Sequence, residues 1–215
     1  MDVGIQLPLR RPVGTVVDIL PDRDVRVKLF EKRLDADLKA TNLVGTTTLD
    51  MFLFPIIQGG HFYVMSINFK NYKFDILDGS SKRMTNERKY EEAPVDLLDM
   101  LSTYLDTKLQ QGRAIRLRNM RPKRMQMAWR DPTPNADSGV LAMRHMEAFT
   151  GQECSKWQCG LQRGNAVQIT NIRKRLMHNI VLAEINAHTP AIVTRVRQYD
   201  SDRFSPHTRV SRGSF

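Results

Sequence analysis

Cysteine is scarce in this chain: Cys154 and Cys159 are the only two in 215 residues, and they lie close together in a polar stretch. Such a pair provides no disulfide framework of the secreted kind, so a reducing compartment is the expectation. Long apolar runs are missing too. No segment approaches the roughly 20 consecutive apolar residues of a membrane-spanning helix, and the opening MDVGIQLPLRRPVG lacks the apolar stretch of a signal peptide. The expected location is the nucleus or cytoplasm, with no membrane partner. Aromatic residues make up only 7% of the chain, which leaves no stacking array for single-stranded nucleic acid. Gly59-Gly60 is not a phosphate loop, because no G-x-x-x-x-G-K-S/T pattern follows it. Internal repeats and low-complexity tracts are absent.

What is present is a surplus of positive charge, +10 with an isoelectric point near 9.9. A surplus of that size favours acidic partners, whether nucleic acid or an acidic protein, without choosing between them. A hydrophobic content of 41% in this length supports one domain with a sizeable core. Residues 1–22 carry prolines at 8, 12 and 21 and read as a flexible N-terminal segment. Residues 23–198 read as the domain, and 199–215 as a flexible basic tail.

Within the domain, DRDVRVKLFEKRLDADLKATN reads as helical, while DMFLFPII, HFYVMSINF and YKFDILD are β-rich runs. In APVDLLDMLSTYLDTKL, Pro94 stands near a helix start and apolar residues recur at 97, 98, 101, 104, 105 and 109, an amphipathic helix. RAIRLRNMRPKRMQMAW alternates basic and apolar residues and predicts two short strands interrupted at Pro122. SGVLAMRHMEAFTG predicts a buried helix stopped by Gly151, and a last long helix is expected over about Asn165 to Asn186. Strands followed by helices give an α+β fold.

The strands on either side of Lys70-Asn71 can be registered by arithmetic. A two-residue loop, with Asn71 accepting a positive φ, pairs Phe69 with Tyr72 and makes every pair sum to the same value. Tyr63, Met65, Ile67 and Phe69 then share an apolar face with Tyr72, Phe74 and Ile76, and Ser66, Asn68, Lys73 and Asp75 take the other. Asp78 falls opposite Tyr63, on the face of His61 and diagonally within its reach. An aspartate beside a histidine is what a general base needs to fix its tautomer. Equally, His61 could simply start a strand and Asp78 cap the Asp-Gly turn. Ser138 follows Asp137 and opens a helix, where the positive end of the helix dipole suits a nucleophile as well as an ordinary cap.

The block DMFLFPIIQGGHFYVMSINFKNYKFDILDGSS resembles the strand-histidine-strand-aspartate block of Ulp-type, ubiquitin-like-protein-specific cysteine proteases, the SUMO-protease type. PNADSGVLAMRHMEAF resembles the block in which their Asp-Cys-Gly opens the central helix. RPKRMQMAW, and SKWQCGL before a helix ending in LAEIN, resemble a plant branch of that family, and the likeness spans most of residues 25–190. The resemblance implies a papain-like fold with a central mixed sheet flanked by helices. It also implies a cysteine thiolate that attacks the carbonyl after a terminal diglycine. Carried onto this chain, His61 becomes the base, Asp78 its orienter and Ser138 the residue at the nucleophile position. The expected partner is a ubiquitin-like modifier, SUMO first, with nucleic acid second.

Three departures from the family pattern bear on activity. Ser138 stands where the family has cysteine, and a hydroxyl is a far poorer nucleophile in a site shaped for thiolate. Pro132 occupies the position of the oxyanion glutamine and has no N–H to donate, which leaves the Ser138 backbone N–H and Asn135 as candidate donors. Phe62 stands where many members have tryptophan over the tail channel, and reads either as that lid or as an ordinary strand aromatic. Phe62, Trp129 and Gly139 are the candidate tail-binding residues, with Trp129 open between cleft and core. An inactive or very slow peptidase domain is the expectation, and a non-catalytic scaffold that kept the fold is the alternative. No cofactor is expected. His145, Cys154 and Cys159 suggest zinc only weakly, because a structural site needs four ligands and no fourth is evident. The basic run Arg113, Arg116, Arg118, Arg121, Lys123 and Arg124, with Arg173, Lys174 and Arg175, reads as a solvated face, a docking surface for an acidic modifier, or a nucleic-acid footprint.

Overall fold

The computed structural model describes residues 22–204 other than 44, 133–136 and 185. By internal packing the chain divides into a unit ending at Ile169 and a second beginning at Thr170. The first unit is built on a mixed, open sheet flanked by helices, an α+β fold. β1 (Met51–Gln58), β2 (His61–Asn68) and β3 (Lys73–Leu77) run antiparallel in sequence order, and β4 (Pro122–Arg124) adds parallel to β3. Pro55 is tolerated inside β1 because β1 is an edge strand.

One apolar face of the sheet, Phe52, Phe54, Ile56, Tyr63, Met65, Ile67, Phe74 and Ile76, packs with α1 (Arg23–Ala40), α3 (Ala93–Thr107) and α4 (Gln111–Arg118). α1 contributes Val27, Phe30, Leu34 and Leu38, a spacing that returns every turn to one stripe. α3 contributes Leu97, Leu101, Tyr104 and Leu105. Leu109 lies beyond the end of α3, with positive φ and 82% exposure, so the apolar stripe stops one member earlier than its sequence pattern. The central helix α5 (Ser138–Ala148) packs against β2.

The register of β2 and β3 is the one obtained by arithmetic: Val64 faces Leu77, Met65 Ile76, Ser66 Asp75, Ile67 Phe74 and Asn68 Lys73. The loop differs. Strand pairing ends at Asn68 and Lys73, leaving a four-residue loop in which Tyr72, not Asn71, takes the positive φ. The cause is Asn68, whose side-chain oxygen accepts the N–H groups of Lys70 and Asn71 and replaces a ladder bond by a local turn.

The first of the two strands expected between Arg113 and Trp129 is a helix. Its basic-apolar alternation imitates a period of two, yet only Ala114 and Leu117, three apart, are buried, and Ile115 is exposed. Ala, Leu and Arg are good helix formers, and the short period of the true stripe decides. The basic run is also less free than it reads. Arg113 donates to the carbonyls of Thr46 and Leu49 and lies over the Phe69 ring, Arg118 pairs with Asp106, and Arg124 donates to the carbonyls of Lys82 and Met84. Arg113 thus ties α4 to the loop at residues 46–49, Arg118 ties α4 to α3 and Arg124 ties β4 to the segment before α2 (Asn86–Tyr90), so these three are engaged within the fold.

α5 ends at Ala148, and Gly151 follows with a φ of +88°. A Cβ added there would stand 2.4 Å from the side-chain nitrogen of Asn68, the residue that organises the β2–β3 loop. Gly151→Ala is therefore expected to cost about 1–3 kcal/mol, read as a lowered urea midpoint.

The second unit, described by itself, holds most of α6 (Ala166–Val181) and all of α7 (Thr189–Phe204). The single long helix expected to Asn186 breaks after Val181, because the Asn186 side chain donates to the carbonyls of Ile180 and Val181 and the Thr189 hydroxyl donates to Val181. These side chains take over the last helical acceptors and end the helix. α7, with Pro190 in its first turn, then runs past Tyr199, where the sequence suggested a tail. Of the segments expected to be flexible, residues 1–22 and 199–215, all but Asp22 and 199–204 lie outside the described residues.

Candidate active site

His61 is the first residue of β2, and Asp78 follows directly on the end of β3, so the hairpin register alone brings them together. His61 Nε2 stands 2.8 Å from Asp78 Oδ1. Asp78 makes both contacts, since the same oxygen also accepts the N–H of Ser80 at 2.8 Å and closes the Asp-Gly turn. The imidazole is partly exposed while the Asp78 side chain is fully buried. With Nε2 directed at the carboxylate, Nδ1 is the nitrogen left for a reacting group.

The other carboxylate oxygen is occupied as well. Asp78 Oδ2 accepts the Tyr90 hydroxyl at 2.8 Å and pairs with the Lys89 ammonium at 2.7 Å. Both come from α2 (Asn86–Tyr90), a short helix whose N-cap Thr85 accepts the N–H of Arg88. Sequence reading missed these two partners. They follow the strand pattern on a one-turn helix, and the only local signal is the capping Thr85. Burial opposes the charge of Asp78, but His61, Lys89 and the Ser80 N–H override it and hold its carboxyl well below the usual carboxylate range. Burial pushes the Lys89 ammonium down, with Asp78 pushing back. Burial, together with the charge of Asp78, raises the hydroxyls of Tyr63 and Tyr90 well above the ordinary tyrosine range, so both remain neutral donors.

Ser138 is the first residue of α5 and only 4% exposed. Its hydroxyl oxygen accepts the backbone N–H of Phe62, the residue after His61, at 3.2 Å. α5 therefore delivers its N-terminus to the start of β2, and Ser138 meets the strand beside the histidine. The Phe62 ring lies over Gly139, within 3.7 Å of where a Cβ would stand. Pro132 lines a cavity of about 370 Å³ together with His61, Ser80, Lys82, Lys89 and Tyr90. Asn135, the candidate oxyanion donor, falls outside the described residues.

Trp129 belongs to an aromatic cluster and also borders a cavity. Its indole N–H donates to His145 Nε2 at 3.0 Å, and its ring meets Trp157 edge-on at 5.0 Å. It lines a cavity of about 250 Å³ with Asp137 and Leu141, the residues flanking the first turn of α5. His145 is fully buried on α5, and burial pushes its pKa down to about 4, only partly offset by the Leu77 backbone and the charge of Asp78. The unfolded chain binds a proton at His145 below about pH 6.5 and the folded chain does not, so stability falls as the pH drops from 6.5 to 4. The expected loss is about 2–3 kcal/mol, and a His145→Gln variant should show a flatter denaturation midpoint across that window. Cys154 and Cys159 are free thiols, the second buried. Among the described residues no group of three His, Cys, Asp or Glu is arranged to hold a metal ion, and no helix is long and apolar enough to cross a membrane.

No family model matches the chain, and no curated protein matches it. Among solved structures, the crystal structure of a de-sumoylating protease is similar at 14% identity with a TM-score of 0.35, over 84% of this chain and 62% of that chain. The chain thus spans less than two thirds of the length of that protein.

Proposed function

We propose that the chain is a ubiquitin-like-protein-specific peptidase domain of papain-like fold, which takes the C-terminal diglycine tail of a modifier, SUMO first, across Phe62 and Gly139. The observation that carries the reading is the meeting of three elements: the His61–Asp78 pair at 2.8 Å, with Ser138 Oγ held 3.2 Å from the N–H of the next residue after His61. A base with a fixed tautomer beside a residue at a helix N-terminus is an arrangement for acyl transfer.

In this reading His61 accepts a proton from the residue at 138 and returns it to the leaving amine, while Asp78 stabilises the imidazolium formed between. Attack on the carbonyl of the terminal glycine breaks its bond to the leaving amine and forms an ester at Ser138, which water then hydrolyses. With a hydroxyl in place of a thiolate, and Pro132 offering no donor at the oxyanion position, binding outlasts turnover. The experiment is covalent capture. Ser138→Cys should form an adduct with a modifier carrying a C-terminal electrophile, and His61→Ala in that background should abolish it.

Ser138 and Pro132 together favour a second reading, a scaffold that keeps the fold without the chemistry. It predicts tail binding by neither version and no adduct. Nucleic-acid binding is the weakest reading, since Arg113, Arg118 and Arg124 are engaged within the fold.

A further inference from the structure

An aspartate that faces a histidine and nothing else charged makes the imidazolium more stable, and the histidine more basic. Asp78 is not in that situation. Its two oxygens meet four donors, His61 Nε2 and the Ser80 N–H on one, the Tyr90 hydroxyl and Lys89 on the other. Lys89 Nζ stands 2.7 Å away with its side chain only 9% exposed, on the turn of helix that also supplies Tyr90. A buried ion pair this tight is screened far less than a surface pair and offsets part of the field that the carboxylate sends toward the imidazole.

We propose that Lys89 is a positioning residue that shares Asp78 with His61, so that the imidazole is held in orientation by a carboxylate whose charge is divided between two partners. This rests on the reading of His61 as the base.

The other groups bearing on the pair do not replace Lys89. Tyr63 from β2 and Tyr90 from α2 are neutral, as is buried His145 from α5 at neutral pH. Glu91, after α2, acts on Tyr63. Arg124 from β4 and Arg130 after it add positive charge near Lys89. Lys89 is the cation in contact with the carboxylate.

The test is the proton titration of His61 followed by NMR in the full chain, native and with Lys89→Met or Lys89→Arg. Removing the ammonium while Tyr90 and Ser80 still hold Asp78 ionised should raise the His61 midpoint by about one pH unit. Lys89→Arg should return it toward the native value, which a merely structural role of the lysine would not do. A folded Lys89→Met chain with an unmoved His61 midpoint overturns the proposal. Should that variant not fold, the ¹⁵N signal of the Lys89 ammonium in the native chain decides. Protection of that ammonium from solvent exchange at neutral pH supports the pairing, and exchange as fast as that of surface lysines overturns it. None of these readouts needs turnover. A shifted His61 together with a Ser138→Cys chain that forms no adduct keeps the charge arrangement and discards the peptidase reading.

Discussion

Asp78→Ala should lower the unfolding free energy by about 3–5 kcal/mol, the range expected when one member of a buried ion pair is removed and the other is left unpaired. The stranded group is Lys89, whose side chain is 9% exposed, and the Tyr90 hydroxyl loses its acceptor as well. Urea unfolding at neutral pH measures the loss. Because Lys89 and Asp78 are in contact, adding Lys89→Met to Asp78→Ala should recover part of it, which two independent sites would not do. The pH dependence follows from the direction of the Asp78 shift. Its folded pKa lies below its ordinary value of 3.8, so its contribution is complete well above that value and is lost as the pH falls through the carboxylate range. The native chain should lose stability over that acid range, and the Asp78→Ala chain should lose less.

Exchanging one atom at position 138 should have the largest effect on chemistry. A cysteine thiol ordinarily ionises near pH 8.5, and a helix N-terminus beside an imidazole lowers that further, whereas a serine hydroxyl is deprotonated only during attack. α5 begins at Ser138, and the Phe62 N–H already points at its Oγ, so a Ser138→Cys sulfur would be received by the same donor. Capture of an electrophilic tail should be at least about 100-fold faster in the Ser138→Cys chain than in the native one, the lower end of what a positioned base contributes. His61→Ala should remove that gain without unfolding the chain, since the imidazole is partly exposed.

The part of the site that could be read in the sequence is the part fixed by strand geometry. Alternation in HFYVMSINF and YKFDILD sets one register, a one-residue slip would turn every apolar side chain outward, and the same register brings Asp78 to His61. The turn escaped because Asn68, at the end of β2, captures the backbone N–H groups that the expected two-residue loop would use. α4 escaped because alternating Arg and apolar residues mimic a strand until tertiary packing selects Ala114 and Leu117. Lys89 and Tyr90 were illegible for another reason. A one-turn helix has no periodicity to detect, and its contact with Asp78 depends on the fold of the segment between them. The cluster of Trp129, His145 and Trp157 is likewise a product of folding, uniting residues from the segment before α5, from α5 itself and from the turn after it.

The most direct test is the intact mass of the Ser138→Cys chain after exposure to SUMO, ubiquitin and a Nedd-type modifier, each bearing a C-terminal electrophile. A covalent adduct with one modifier, SUMO first, absent from the His61→Ala control, is the predicted result. A folded Ser138→Cys chain that adds no mass with any of the three would contradict the peptidase reading and leave the scaffold in its place.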